Sequence, residues 1–587
     1  MTGHARNVAI SLAIAAMVAS GVACRSERGA ANGRGPTDSP ADLKGGTTST
    51  GGDLRVSLRS DPQSFNWITR RDSSAYLVTL LTQAWLVRVN RLTDTVEPWL
   101  AENWSTSPDG LRYTIKLRQG VTFADGAPFT SDDVVFSLAA AYDEKGGSLI
   151  ADSMRVGGKN LTAEAAGPAT VVITFPGPFG PGLRLFDNLP ILPRHKLQGA
   201  VGGDNWLANA WRTSANPAEL TGLGPFTLGE YAAGQRLVFN RNPRYFRKDA
   251  NGVQLPLLDR VVVEIVSGQD AELLRLQAGQ SDLSESQIRL EDYAPVKRGA
   301  DEGRLKLYDV GTAVSADSLW FNLKPGAFKG DPRAAWIQRD ELRKAISLAV
   351  DRKVFADTVY LGAAAPVFGP VTPGNKAWYS PELPQPAHDP ARAKALLASI
   401  GLTDRNGDGQ LEDAANRPAR FTLLTTKGQT ALERAVAVVR DELAKIGLGV
   451  DTVLLDANAL VGTFLGGKPY DAVYFSLIPS DTDPALNLDF WLSSGGSHLW
   501  DPEQKSPATV WERQIDALML KQAASLDSGE RRTLFTEVQK IFAEHEPMIY
   551  FAAPRIYVAT SARVLNIDPM LRRPQALWSP DTIALRR

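Results

Sequence analysis

The sequence predicts an α/β protein folded as two or more lobes, and three features carry that expectation. The chain has 587 residues, more than one hydrophobic core ordinarily organises. Period-two runs and runs of three-and-four spacing succeed one another along it, the marks of strands and helices in alternation. At 419–455, two apolar strands flank one amphipathic helix, a spacing that implies a parallel crossover unit.

The ends of the chain set the compartment. His4 and Arg6 precede an apolar run at 8–18, too short to span as a mature helix and suited to a signal segment. It closes on Gly21, Val22, Ala23 and Cys24, the only cysteine. One reading is simple signal cleavage beside an idle thiol. The favoured one is a lipoprotein signal over 1–24, with Cys24 lipidated as the first mature residue, although Gly21 stands where leucine is usual. Residues 25–52 are rich in Gly, Ser, Thr, Ala and Asp and predict a flexible tether. A single cysteine leaves no internal disulfide. Lysine plus arginine number 64 against 65 acidic residues, so the basic footprint of a nucleic-acid binder is absent.

Leu54, Val56 and Leu58 alternate with polar residues as a first strand, and 75–87 reads as an apolar helix. Leu111, Tyr113, Ile115 and Leu117 form a strand with one wet face. Asp109-Gly110 and Asp125-Gly126 are turn dipeptides. Thr130 and Asp133 have capping-box spacing ahead of a helix with Val134, Val135 and Leu138. A strand follows at 170–175. Leu342, Ala345, Ile346, Ala349 and Val350 give 339–352 a core-facing stripe. Asp389, Pro390 and Gly401 cap, start and stop another helix. Residues 419–425, 431–446 and 449–455 are the strand, helix and strand of the crossover. A last helix and strand occupy 529–551.

Residues 97–138 carry a resemblance as well as elements. Pro98, Leu100, Ala101, Trp104, Ser107, Asp109, Gly110, Tyr113, Leu117, Arg118, Gly120, Val121, Phe123, Asp125, Gly126, Pro128, Asp133, Val134 and Ser137 fit the signature of the family 5 extracellular solute-binding proteins. These are the dipeptide-, oligopeptide- and nickel-binding components of ABC importers. GLGPFTL at 222–228, NRNPRYF at 240–246, LPLLDRVVVEIV at 255–266, and Leu276, Gly279 and Asp282 extend the likeness over most of 53–552. DPQSFNW at 61–67 departs from the family wording.

The resemblance implies a two-lobed architecture like that of periplasmic binding proteins, of the class II, large-ligand type, with an extra inserted subdomain at about 86–217. It assigns 53–270 plus 553–587 to an N-terminal lobe and 271–552 to a C-terminal lobe. It implies a monomeric lipoprotein of the periplasm that captures a peptide-like or other small organic solute between the lobes. Delivery would be to ABC permease subunits, with no cofactor and no catalysed reaction. A receptor that presents its ligand to a sensor or chemoreceptor would share these residues, and a periplasmic hydrolase on the same fold is a third reading.

In peptide-binding members an aspartate three residues before the D/E-P pair holds the ligand ammonium, and a tryptophan lies three before that. Counted from Asp483-Pro484, those positions are Ser480 and Leu477. An ammonium without a carboxylate is costly to desolvate, so an ordinary free-amine peptide is not expected unless Asp481 takes the role. Arg71, Asp72, Trp320, Asn322 and Trp491 complete the candidate walls, each with a core or rim role as the alternative.

Other motifs weigh less. Asp404, Asn406, Asp408, Gly409 and Glu412 imitate a calcium loop, but Ala415 stands at its twelfth position, where a bidentate carboxylate is needed. GTFLGGK at 462–468 has P-loop spacing, but Pro469 follows where Ser or Thr is required. His195, His388, His498 and His545 lie in no zinc-protease context. Ser497 and His498 are adjacent, and there is no G-x-S-x-G elbow.

Overall fold

The computed structural model describes residues 33–34, 50–70, 72–285, 287–476 and 479–586. Cys24, Arg71 and Leu477 lie outside the described residues, as do the signal segment and most of the tether.

A large mixed sheet organises the first lobe. Across it run Leu305–Thr312, Ala552–Ser561, Leu283–Ser284, Asp53–Leu58, Arg260–Ile265, Arg236–Arg241 and Phe226–Ala232, with Ala364–Pro366 also pairing Ala552–Ser561. Asp53–Leu58 is parallel to both Arg260–Ile265 and Leu283–Ser284. Leu54 and Val56 are fully buried, as their alternation requires. Strands Ala101–Thr106, Arg112–Leu117, Thr170–Thr174 and Thr162–Ala165 form a second, antiparallel sheet, joined at its edge by Gly33–Arg34. Its buried residues Tyr113, Ile115 and Leu117 share one continuous core with the first sheet.

The expected helix at 75–87 is shorter. Ser73–Thr82 is helical, Gln83 caps its end, and Val87–Asn90 is a strand. Gly222 and Gly224 pack against the backbone of Thr82 and Gln83 with no room for a Cβ, so tertiary contact ends the helix where periodicity would continue it. Thr130 and Asp133 form the capping box of Ser131–Tyr142. The stripe at 339–352 is divided between Asp340–Ala349 and Arg352–Val359, because Asp351 accepts amides of Lys353 and Val354 and starts a new helix.

The second lobe is built on Gly449–Leu455, Arg420–Thr426, Ala472–Phe475, Ser318–Phe321 and Met548–Tyr550, in that order. Arg420–Thr426 and Gly449–Leu455 are parallel and joined by helix Thr430–Ala444, the expected crossover. The sheet is covered on both faces, which explains its near-continuous apolar strands. Leu319, Phe321, Phe421 and Tyr474 face one core, while Trp320, Leu424 and Val473 face another.

Sheet pairing moves the lobe boundary. Leu283–Ser284 and Leu305–Thr312 belong to the first sheet, so the chain leaves the first lobe at 313–317 rather than at 270. It returns between Tyr550 and Ala552. The shift arises because Ala552–Ser561, a strand from the end of the chain, supplies the hydrogen bonds that hold Leu305–Thr312. No helix among the described residues is long and apolar enough to cross a membrane.

Candidate functional site

In α/β sheets, ligands bind beyond the carboxyl ends of the strands. The parallel strands of the first lobe end at Leu58, Ile265 and Ser284, and those of the second at Thr426, Leu455 and Phe475. Segment 566–575 draws the two sets of ends together. Arg572 Nη2 donates to the Ser480 carbonyl at 2.8 Å, and Gln575 Nε2 reaches Gln287 Oε1 at 3.4 Å. Arg434, on the crossover helix, donates to Glu291 Oε1 at 2.7 Å.

A buried charge cluster lies at this junction. Arg184 is in the turn Gly182–Asn188, whose neighbours Leu183, Leu185 and Phe186 anchor it in the first-lobe core. Its Nε donates to Asp481 Oδ1 at 2.8 Å, and its Nη2 to Thr482 Oγ1 at 2.7 Å and Asp94 Oδ1 at 2.6 Å. Arg572 Nη1 is 3.4 Å from Asp481 Oδ2. Burial pushes the Asp481 carboxyl up, but Arg572 and Arg184 outweigh it and hold the group below its ordinary value. Burial dominates at Asp187, whose carboxyl is raised despite Arg572 and Arg91. Asn375 Nδ2 donates to the Thr482 carbonyl at 2.9 Å. Asn375 Oδ1, Gln575 Oε1 and Thr426 Oγ1 are buried with no hydrogen-bond partner among the described residues.

The predicted wall residues divide. Ser480 and Asp481 are at the junction. The Ser480 hydroxyl donates to the Leu486 carbonyl and to Asn487 Oδ1, and Asp481 is claimed by arginines. Asp72 caps helix Ser73–Thr82 through Oδ1, leaving buried Oδ2 without a partner. Trp320 and Trp491 are core instead. Trp320 is fully buried against Phe464, and Trp491 packs on Phe490, Phe535 and Phe542. Strand pleating turns Trp320 inward. Asn322 is also displaced from the site. It follows the end of Ser318–Phe321 remote from Ser476, and its Oδ1 and carbonyl tie a turn with Lys324 and Gln338.

Sequence reasoning missed Arg184, Asp94, Arg572 and Asn375. The adjacent arginines 572–573 were the one visible signal.

The calcium-like loop folds on its own carboxylates. Asp404, Asp408 and Glu412 offer oxygens within 4.8 Å of one another. However, Asp404 accepts the amides of Gly407 and Gly409, Asp408 that of Gln410, and Glu412 that of Arg405. Asn406 bonds to Asp408.

Comparison with known proteins places this geometry. The family model described as "Bacterial extracellular solute-binding proteins, family 5 Middle" matches residues 95–498. A "Probable ABC transporter-binding protein" of Deinococcus radiodurans is 26% identical over 577 residues, covering 92% of this chain and 94% of that protein. The oligopeptide-binding protein AppA of Bacillus subtilis, solved with a nonapeptide, superposes with a TM-score of 0.71. It is 25% identical and covers 92% of this chain and 100% of that one. The periplasmic binding protein MelB of Agrobacterium fabrum C58, solved with stachyose, has a TM-score of 0.73, 23% identity and coverages of 93% and 86%.

Proposed function

This chain belongs to the bacterial extracellular solute-binding proteins, family 5, and from that premise we infer that it captures a small organic solute for an ABC importer. The solute is held where the carboxyl ends of the two sheets meet, and the loaded protein docks on a membrane permease. The observation that carries this reading is the junction at 480–482. There, two lobes built on different sheets are bridged by side chains, Arg184 reaching from the first to Asp481 and Thr482 of the second. Such a pair of lobes opens and closes as a hinge, and a solute shifts that equilibrium by its differential affinity for the closed form.

The fold does not select the solute class, because AppA holds a nonapeptide and MelB holds stachyose. The residues at 480–481 narrow it. Ser480 has no charge to offer, and Asp481 already accepts from two guanidiniums. An ammonium arriving there would compete with both, so the solute is not an ordinary di- or oligopeptide held by its α-amine at this position. The protein acts by binding alone, from the envelope side of the membrane, anchored through lipid on Cys24 and working as a monomer.

Native mass spectrometry of protein purified without added solute, then thermal-shift screening of peptides, sugars and metal chelates, tests the reading. Bound solute raises apparent stability by mass action. A solute near micromolar affinity, about −8 kcal/mol, is expected. Tight, generic dipeptide binding that Asp481→Ala leaves untouched would contradict the exclusion of α-amine ligands.

A further inference from the structure

Asp317 sits where the chain crosses from one lobe to the other, five residues after Thr312 in the first sheet and one before Ser318 in the second. Ser318 pairs with Phe475, so the next residues outward, Asp317 and Ser476, stand opposite each other at the carboxyl-end mouth of the second sheet. Pleating gives them the face below which Leu319 pairs with Tyr474. The Tyr360 hydroxyl donates to Asp317 Oδ2 at 2.6 Å, and the Ser476 hydroxyl bonds the same carboxylate. Asp317 is half-buried, and Ser476 leads directly into 477–481.

Many of the buried acids carry a counter-charge. Asp481 has Arg184 and Arg572, Asp581 has Arg247, Asp483 has Arg531 and Asp282 has Arg563. Glu285 and Glu272 face Arg59. Asp317 takes part in no ion pair among the described residues, and burial pushes its carboxyl up with only the two hydroxyls opposing. A shielded carboxylate without a cation is unfavourable unless a partner arrives. The position lies at the carboxyl-end mouth of the second sheet, beside the residue that follows Phe475, which is the end where the reading above holds the solute, so the partner can come with the solute.

We propose that Asp317 is the seat for a cationic nitrogen of the solute, making the preferred ligand an organic amine whose charge docks at the crossing rather than at 480–481. Tyr360 and Ser476 orient the carboxylate, and the solute supplies the missing positive charge. The proposal rests on the solute-binding reading above and adds the class of solute.

The test is titration calorimetry on the full chain with three cations and their uncharged analogues: choline against 3,3-dimethyl-1-butanol, putrescine against 1,4-butanediol, and glucosamine against glucose. At least one cation is expected to bind about tenfold or more tighter than its analogue. Asp317→Asn, nearly isosteric and able to keep the Tyr360 bond, is expected to abolish that preference while leaving the melting temperature within a few degrees. Binding by none of the three cations, equal binding within a pair, or a preference that survives Asp317→Asn would overturn the proposal. The preference in the native protein decides the matter even if the variant folds poorly. Failure of all solutes in the wider screen, neutral and anionic ones included, would count instead against solute binding itself.

Discussion

Replacing Arg184 with methionine should open the protein without unfolding it. The guanidinium makes bonds of 2.6–2.9 Å to Asp94, Asp481 and Thr482, linking a first-lobe turn to the segment after strand Ala472–Phe475. Removing one partner of a buried pair costs about 3–5 kcal/mol because the other charge is stranded. Asp481 keeps Arg572 at 3.4 Å and the amide of Asp483 at 2.8 Å, so the lower end, about 3 kcal/mol, applies. The stranded carboxylates regain water as soon as the lobes part. The cost therefore falls on the closed form and lowers the closed-to-open ratio about a hundredfold. Small-angle scattering of the unliganded protein should show a larger radius of gyration in Arg184→Met than in the native chain. Affinity for the copurified solute should weaken by up to about a hundredfold, while the urea midpoint moves little. An unchanged radius and affinity combined with a full loss of about 3 kcal/mol in unfolding stability would show that Arg184 only supports the fold.

Three further outcomes are expected. A Cβ at Gly180 would collide with the Ser525 carbonyl and the Arg531 side chain of the other lobe, so Gly180→Ala should weaken solute binding about tenfold by calorimetry, the equivalent of about 1.4 kcal/mol of overpacking. Trp320→Ala should cost about 3–5 kcal/mol in urea unfolding without changing which solutes bind, since the side chain is core. Stability should also depend on pH through the buried Asp501 and Glu512. Burial raises the Asp501 carboxyl to about 6 from 3.8, so the native state holds a proton that the unfolded chain has released, and stability falls by up to about 3 kcal/mol as pH rises through that window. Burial also opposes ionisation of Glu512, but hydrogen bonds from His498, Gln504, Thr509 and Trp500 prevail and bring it to about 2 from 4.5. Its contribution, up to about 3 kcal/mol, is complete above pH 4.5 and is lost as pH falls toward 2. Urea midpoints between pH 3 and 8 should peak near 4–5 for this pair, and Asp501→Asn should flatten the upper slope.

Much of the architecture was legible before any coordinates, because its signals are local. The Thr130–Asp133 box, the Asp389–Pro390 start and the 420–455 crossover each depend on residues within a few turns of one another. The forty-residue signature at 97–138 added the family, and the family added the two lobes. Trp320 and Trp491, read from the sequence as wall or core alike, are buried in the core, and that ambiguity has a different cause. A tryptophan beside a ligand and one inside a core look alike in sequence, and only the pleat and the covering helices decide which it is.

The chain by itself determined the order of strands and helices and the absence of charge at Ser480. Tertiary structure alone decided what Asp481 does, since its arginines lie 297 and 91 residues away, and that Asp317 has none among the described residues. Electrostatic energy follows distance in space and exclusion of water, and neither is written in the spacing of residues along a strand.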